Sequence, residues 1–133
     1  MLHAALAVAL ASANVVPASY DRARSMIVYH VSDRLMTRVA IAPERVRFYP
    51  NATVYRRSGE EIARLLEAAE IARPVAKDTR VDARWLVEFY DRSGRNIGSI
   101  SCDKFGGHGT IGGRHVAFSS DHFVVWLRSA FPY

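Results

Sequence analysis

The alternation of apolar and polar positions is clearest in the last third of the chain, where it predicts a β-hairpin. Residues 85–91 and 95–102 have high strand propensity and flank Arg92-Ser93-Gly94, a loop whose glycine supports a positive φ. Pairing of Asp91 with Arg95 would then set three pairs of residues opposite each other: Phe89 with Ile97, Val87 with Ser99, and Leu86 with Ile100. Both faces carry apolar groups, which is typical of central strands.

Two segments show the periodicity of amphipathic helices. The first starts at Ser58, where a capping-box pattern with Glu61 predicts the helix N-terminus, and runs to about residue 72. The second follows Asp121, and its apolar positions recur at helical spacing: Phe123, Trp126, Leu127, Ala130 and Phe131. Each helix has one apolar stripe, so we expect both to pack on the sheet.

Shorter strands are predicted on either side of the first helix. Residues 26–31 and 53–55 favour strands, as do 34–41, although more weakly. Residues 45–49 alternate, which would place Val46 and Phe48 toward the core. Farther along the chain, the pair Gly112-Gly113 suits a tight turn between two strands, residues 110–111 and 114–118. Together the elements predict an α+β fold: an antiparallel sheet of several strands with two amphipathic helices packed on one face.

Composition bounds the size and the compartment of the protein. Its 133 residues, half of them hydrophobic, predict one α+β domain over residues 20–133 with a sizeable core. The single cysteine excludes an internal disulfide. Residues 1–18 resemble a signal peptide: residues 1–16 carry no charged side chain, and small-x-small sites end at Ala13 and Ala18. We therefore expect a periplasmic or secreted bacterial protein, although the leader lacks a basic start and a cytoplasmic chain remains the alternative.

Positive charge is concentrated early in the chain. Residues 20–57 hold eight arginines against three acidic residues, a net charge of +5, whereas residues 58–133 are neutral overall. If the early strands share an outer face, they present a basic surface with interleaved tyrosines: Arg34, Arg38, Arg45, Arg47, Tyr49, Tyr55, Arg56 and Arg57. A surface of this kind attracts an anionic macromolecule or a protein partner. The alternative is a solvated face whose arginines discourage edge aggregation.

The residues with catalytic potential cluster near the glycine-rich segment 105–113. Cys102, Asp103, His108 and His115 are the residue types of an activated nucleophile with a base and an orienting acid. No surrounding motif is specific to a known cysteine enzyme, and a buried thiol with surface histidines is the simpler interpretation. The segment also lacks the lysine and the following helix of a phosphate-binding loop. The histidines do not have the spacing of zinc ligands.

The sequence thus favours a small exported, non-enzymatic binding module: an inhibitor, an immunity-type factor or an envelope accessory protein. We expect no metal, no cofactor and no membrane span in the mature chain. The alternative is a small hydrolase or nuclease-like enzyme that uses the cysteine, aspartate and histidines of residues 102–115. The two hypotheses differ in geometry, since catalysis requires these side chains to converge in an open cleft.

Overall fold

The computed structural model describes residues 15–49, 52–77 and 79–131, and the side chains of residues 57 and 58 fall outside that description. Most of the proposed leader, residues 1–14, therefore also lies outside it. The sheet has seven antiparallel strands: β1 Ser25–His30, β2 Thr53–Ser58, β3 Ala72–Pro74, β4 Ala83–Tyr90, β5 Asn96–Asp103, β6 His108–Ile111 and β7 Arg114–Phe118. Their order is β2-β1-β4-β5-β6-β7-β3. The α+β prediction is confirmed.

Two α-helices, α1 (Glu60–Ala69) and α2 (His122–Ala130), cover one face of the sheet. Their apolar stripes meet the inward side chains of the central strands in one buried cluster, whose largest members are Trp85, Tyr20, Phe89, Phe123 and Phe131. A short 3-10 helix, Ala18–Arg22, closes the cluster at its edge. There the hydroxyl of Tyr20 donates to the Ser99 carbonyl at 3.1 Å and accepts from the Ser99 amide at 3.0 Å.

The central hairpin forms as predicted, but its register is shifted by one residue at Phe89 and at the residues of β4 that precede it. Asp91 and Arg95 are bonded as expected, the Asp91 amide donating to the Arg95 carbonyl at 3.0 Å. A bulge then separates the pair Tyr90–Asn96 from Phe89–Gly98, so Val87 faces Ile100. The bulge brings Gly98 beneath Tyr20, where a Cβ would lie 2.2 Å from the tyrosine oxygen. The predicted pairs were wrong because this long-range contact sets the register.

The strand predictions for residues 34–41 and 45–49 are both wrong. Residues 34–41 are irregular, since both edges of β1 are already paired, with β2 and with β4. Residues 43–48 form a 3-10 helix, Pro43–Phe48, with proline at its first position and the Arg45 amide donating to the Ala42 carbonyl at 2.9 Å. A 3-10 helix has three residues per turn. In this helix Val46 points inward and Phe48 lies on the surface.

The helix starts also differ in detail from the sequence pattern. The N-cap of α1 is Gly59, with φ of 77°, rather than Ser58 of the predicted capping box. At α2 the N-cap is Asp121, and the His122 amide donates to the Ser120 hydroxyl at 3.3 Å. Within the described ranges, neither α1 nor α2 nor any other helix has the length and apolar character needed to cross a bilayer.

Candidate functional site

The face of the sheet opposite the α-helices is covered by residues 31–49, which we call the crossing segment. This segment leaves β1, passes over β4 and ends with the 3-10 helix. A second buried cluster anchors it, in which Val31, Ile41 and Val46 pack against Leu86 and Ala83. The crossing segment covers mainly the half of the face nearest β1. On the half formed by β5 to β7, Ser101 and Thr110 are buried, and a concavity remains beside Ser99 and His115.

Arg84 fastens the crossing segment to the sheet. It occupies a bulge of β4, and only 5% of the residue is exposed. Its guanidinium donates to the carbonyls of Ser32 at 2.9 Å and Leu35 at 2.8 Å, and to the Asp82 carboxylate at 3.1 Å. The other Asp82 oxygen accepts the Ile41 amide at 2.8 Å. These side-chain bonds add to two backbone bonds with β4, from the Val31 amide to the Arg84 carbonyl and from the Ala83 amide to the Ile41 carbonyl, both at 2.8 Å.

The outer surface of the crossing segment carries an apolar patch. Met36, Val39 and Phe48 are 90%, 77% and 73% exposed, which is unusual for side chains of this size. They surround one concavity of about 650 Å³ together with Arg38 and Arg45, and we call it the Arg-flanked groove. Apolar side chains left in solvent beside cations form a surface suited to a partner that is both apolar and acidic.

The charges around the groove are available to a partner. Among the described residues, Arg34, Arg38 and Arg45 are exposed and take part in no ion pair. Arg47 is different, because it pairs with the buried carboxylate of Glu88 at 3.3 Å. The crossing segment therefore presents three free guanidinium groups.

The residues predicted to share one basic sheet face separate into several places. Tyr49 lines the Arg-flanked groove with Arg38 and Arg45, whereas Tyr55 packs on the opposite face, its ring 5.1 Å from that of Phe131. Arg56 lies on β2, beside residues of β1 and the central hairpin, and the Arg57 side chain lies outside the described part. The shared face was predicted from strands that do not form at 34–41 and 45–49, so the crossing segment, not a sheet face, carries most of the set.

A second concavity lies between the 3-10 helix Pro43–Phe48 and the polar side chains of β4 to β7, and we call it the polar cleft. It encloses about 350 Å³ between Arg47 and Phe48 on one side and Glu88, Ser99, Thr110 and His115 on the sheet. Burial and the neighbouring Glu88 carboxylate raise the pKa of Tyr29 and Tyr90, which adjoin it. No sequence pattern pointed to this cleft, because its residues come from four separate strands.

The candidate catalytic residues do not converge. Cys102 is buried among the residues under the helices, and burial raises the pKa of its thiol well above the ordinary value. His115 points to the opposite face, next to Thr110, and His108 is exposed on β6. The Asp103 carboxylate accepts the amides of Phe105 at 3.1 Å and Gly107 at 3.0 Å, which shapes the turn. This placement gives no support to a cysteine nucleophile paired with either histidine.

A buried histidine that sequence reasoning missed lies at the end of β1. His30 stacks on Trp85 with ring centroids 3.8 Å apart, and its Nε2 is 3.7 Å from the Asp33 carboxylate. Asp33 in turn pairs with Arg128 of α2 at 3.5 Å. Burial lowers the pKa of His30, opposed by the nearby carboxylate. In the described ranges, no group of three or more potential ligands is arranged to hold a metal ion.

Comparison with known proteins leaves the geometry as the guide to function. The chain matches no protein-family model, no curated protein and no solved structure.

Proposed function

We propose that the protein is an exported binding module that recognises an acidic protein through the Arg-flanked groove and the arginines beside it. The observation that carries this proposal is the exposure of Met36, Val39 and Phe48 around one concavity that also holds Arg38 and Arg45. Exposed apolar side chains gain free energy when a partner covers them, at roughly 25 cal/mol per Å². Unpaired arginines at the rim favour an acidic partner and speed its association.

The chemistry of the groove favours a protein over the other anionic partners. Nucleic acid is bound mainly through cationic contacts to phosphates, and Met36 and Val39 would gain nothing from them. A lipid surface is bound by the flat apolar face of an amphipathic helix, whereas this groove is concave and made of a loop and one short 3-10 helix. A concavity with an apolar wall suits an inserted side chain of a protein.

The catalytic alternative has no comparable support, because Cys102 and His115 lie on opposite faces of the sheet. An inhibitor, an immunity-type factor and an envelope accessory protein all remain compatible with the proposed surface. They differ in the partner that they bind, and identification of the captured partner separates them.

Charge reversal tests the proposal. The double variant Arg38→Glu and Arg45→Glu changes the groove, and the matched control, Arg92→Glu and Arg95→Glu, makes the same change at the exposed hairpin turn. Envelope extract is passed over immobilised wild-type and variant protein, and captured proteins are identified by mass spectrometry. We expect an acidic protein to be captured by the wild type and the control, and lost with the groove variant. Capture that survives in the groove variant, or captured RNA or lipid instead of protein, would overturn the proposal.

A further inference from the structure

The polar cleft has the size and polar lining of a small-ligand site, and it adjoins the Arg-flanked groove, with which it shares Phe48. Its volume of about 350 Å³ lies at the lower end of ligand pockets, which run from roughly 300 to 1,000 Å³. Phe48 and Pro43 form an apolar wall on the 3-10 helix, and Leu86 contributes to the floor. The sheet side is polar, with Glu88, Ser99, Thr110 and His115 in adjacent strands.

The hydrogen-bonding groups in the cleft are only partly satisfied. The Glu88 carboxylate accepts from Arg47 at 3.3 Å, Tyr90 at 3.3 Å and Asn96 at 3.4 Å. The Tyr29 hydroxyl is a fourth hydrogen-bond partner of the carboxylate. The three distances exceed the ~2.7–2.9 Å of strong charge-assisted bonds, so a ligand hydroxyl can take the place of one of these weak donors. His115 Nδ1 is buried and has no hydrogen-bond partner among the described residues. A buried nitrogen without a partner is costly, and a ligand hydroxyl would satisfy it.

The charge of the cleft restricts the ligand. Glu88 pairs with Arg47, and Glu44 adds an exposed carboxylate to the lining, so an anion would meet two carboxylates and a cation would meet the guanidinium. A neutral ligand with neighbouring hydroxyl groups suits the pair, because one hydroxyl donates to the carboxylate while the next accepts from the guanidinium. The ring of Phe48, 73% exposed, offers a surface for the apolar C–H face of the same ligand.

We propose that the polar cleft binds a neutral saccharide ring, with its vicinal hydroxyls on Glu88 and Arg47, its C–H face against Phe48, and a further hydroxyl on His115. The ring comes either from a free monosaccharide or from the end of a glycan chain, and both present the same groups to the cleft. Phe48 lines both the cleft and the Arg-flanked groove, whereas His115 lines the cleft and not the groove, so a variant of His115 tests this proposal separately from the protein partner of the groove.

Titration followed by amide chemical shifts tests the site. Glucose, galactose and N-acetylglucosamine, each up to about 20 mM, cover the weak affinities expected of a single ring. Maltotriose and chitotriose form the second arm, and tighter binding of either would assign the cleft to a glycan end. Cyclohexanol is the control, having the ring without adjacent hydroxyls. We expect at least one saccharide, but not cyclohexanol, to shift the amides of Ser99, Thr110 and His115.

Variants locate the binding. His115→Gln should weaken the saccharide by about fivefold, the loss of one hydrogen bond, while His108→Gln, outside the cleft, should leave affinity unchanged. Phe48→Ala is the second variant, and its exposed position protects the fold. The proposal is overturned if no saccharide shifts these amides, if cyclohexanol shifts them equally, or if both histidine variants and the Phe48 variant bind like the wild type.

Discussion

Arg84 offers the sharpest test of how the sheet supports the crossing segment. Replacement by methionine keeps the aliphatic stem and removes the guanidinium that bonds the carbonyls of Ser32 and Leu35. The Leu35 carbonyl would then lose the guanidinium donor, and the Ser32 carbonyl would keep the Leu35 amide at 3.1 Å as its donor. The Arg84→Met variant therefore removes the side-chain attachment near Ser32 and Leu35, while the buried cluster and the bond from Ile41 to Asp82 remain.

The expected loss of stability follows from the geometry. Hydrogen bonds to a charged group contribute about 1.5–3 kcal/mol each, but two bonds from one guanidinium are not additive. The pair with Asp82 adds little, since that carboxylate is 40% exposed and its attraction is screened. We expect Arg84→Met to lower the free energy of unfolding by about 3 kcal/mol.

Two assays separate local from global effects. Urea denaturation gives the free energy of unfolding, and hydrogen exchange reports on the amides of Leu35 and Ile41, which are bonded within the segment and to Asp82. Both amides should exchange faster in the variant than in the wild type. This increase should exceed that of the Val28 amide in β1, which serves as the reference for global unfolding. The control is Arg64→Met, whose pair with Glu60 spans 4.0 Å in solvent and should cost less than about 0.5 kcal/mol. Equal effects of the two variants would refute the role of Arg84.

Three further predictions concern buried groups and the leader. Burial lowers the pKa of His30, so the unfolded chain binds a proton at a higher pH than the folded protein does. The free energy of unfolding, measured in urea, should therefore decrease as the pH is lowered past about 6.5. A His30→Phe variant whose stability decreases just as steeply would contradict this. Cys102 should resist a thiol reagent in native buffer and react fully in urea; fast native labelling would contradict its burial. If the leader is cleaved, N-terminal sequencing should show the cut after Ala13. A cut after Ala18, the second candidate site, would remove Val15 from the core.

The parts of the fold that sequence predicted are those set by local chemistry. The hairpin turn follows from Asp91, whose carboxylate accepts the amides of Ser93 and Arg95 at 2.9 and 3.0 Å. The Gly112-Gly113 turn follows from the positive φ of both glycines, 58° and 78°. The helices follow from their apolar stripes.

The parts that sequence missed depend either on two competing local patterns or on contacts between distant residues. The alternation at 45–49 looked like a strand, but Ala42-Pro43-Glu44 is a helix start, and this local signal was outweighed by the period-two pattern. Arg84 gave no sign of its role, because the carbonyls that it binds lie about fifty positions earlier in the chain. The sequence therefore predicted that arginines gather in this part of the chain, but not that they lie beside a concave groove. It did not predict the polar cleft.

Photo-crosslinking at Phe48 tests the central claim most directly. Phe48 and Phe105 are both 73% exposed, and each lies beside a cation, Arg47 at 5.1 Å and Lys104 at 5.0 Å from the ring centroid. Benzoylphenylalanine is placed at one site or the other, and the protein is irradiated in envelope extract. The binding surface predicts an acidic protein crosslinked at position 48 and not at 105. Equal crosslinking at both positions, or none at 48, would contradict it.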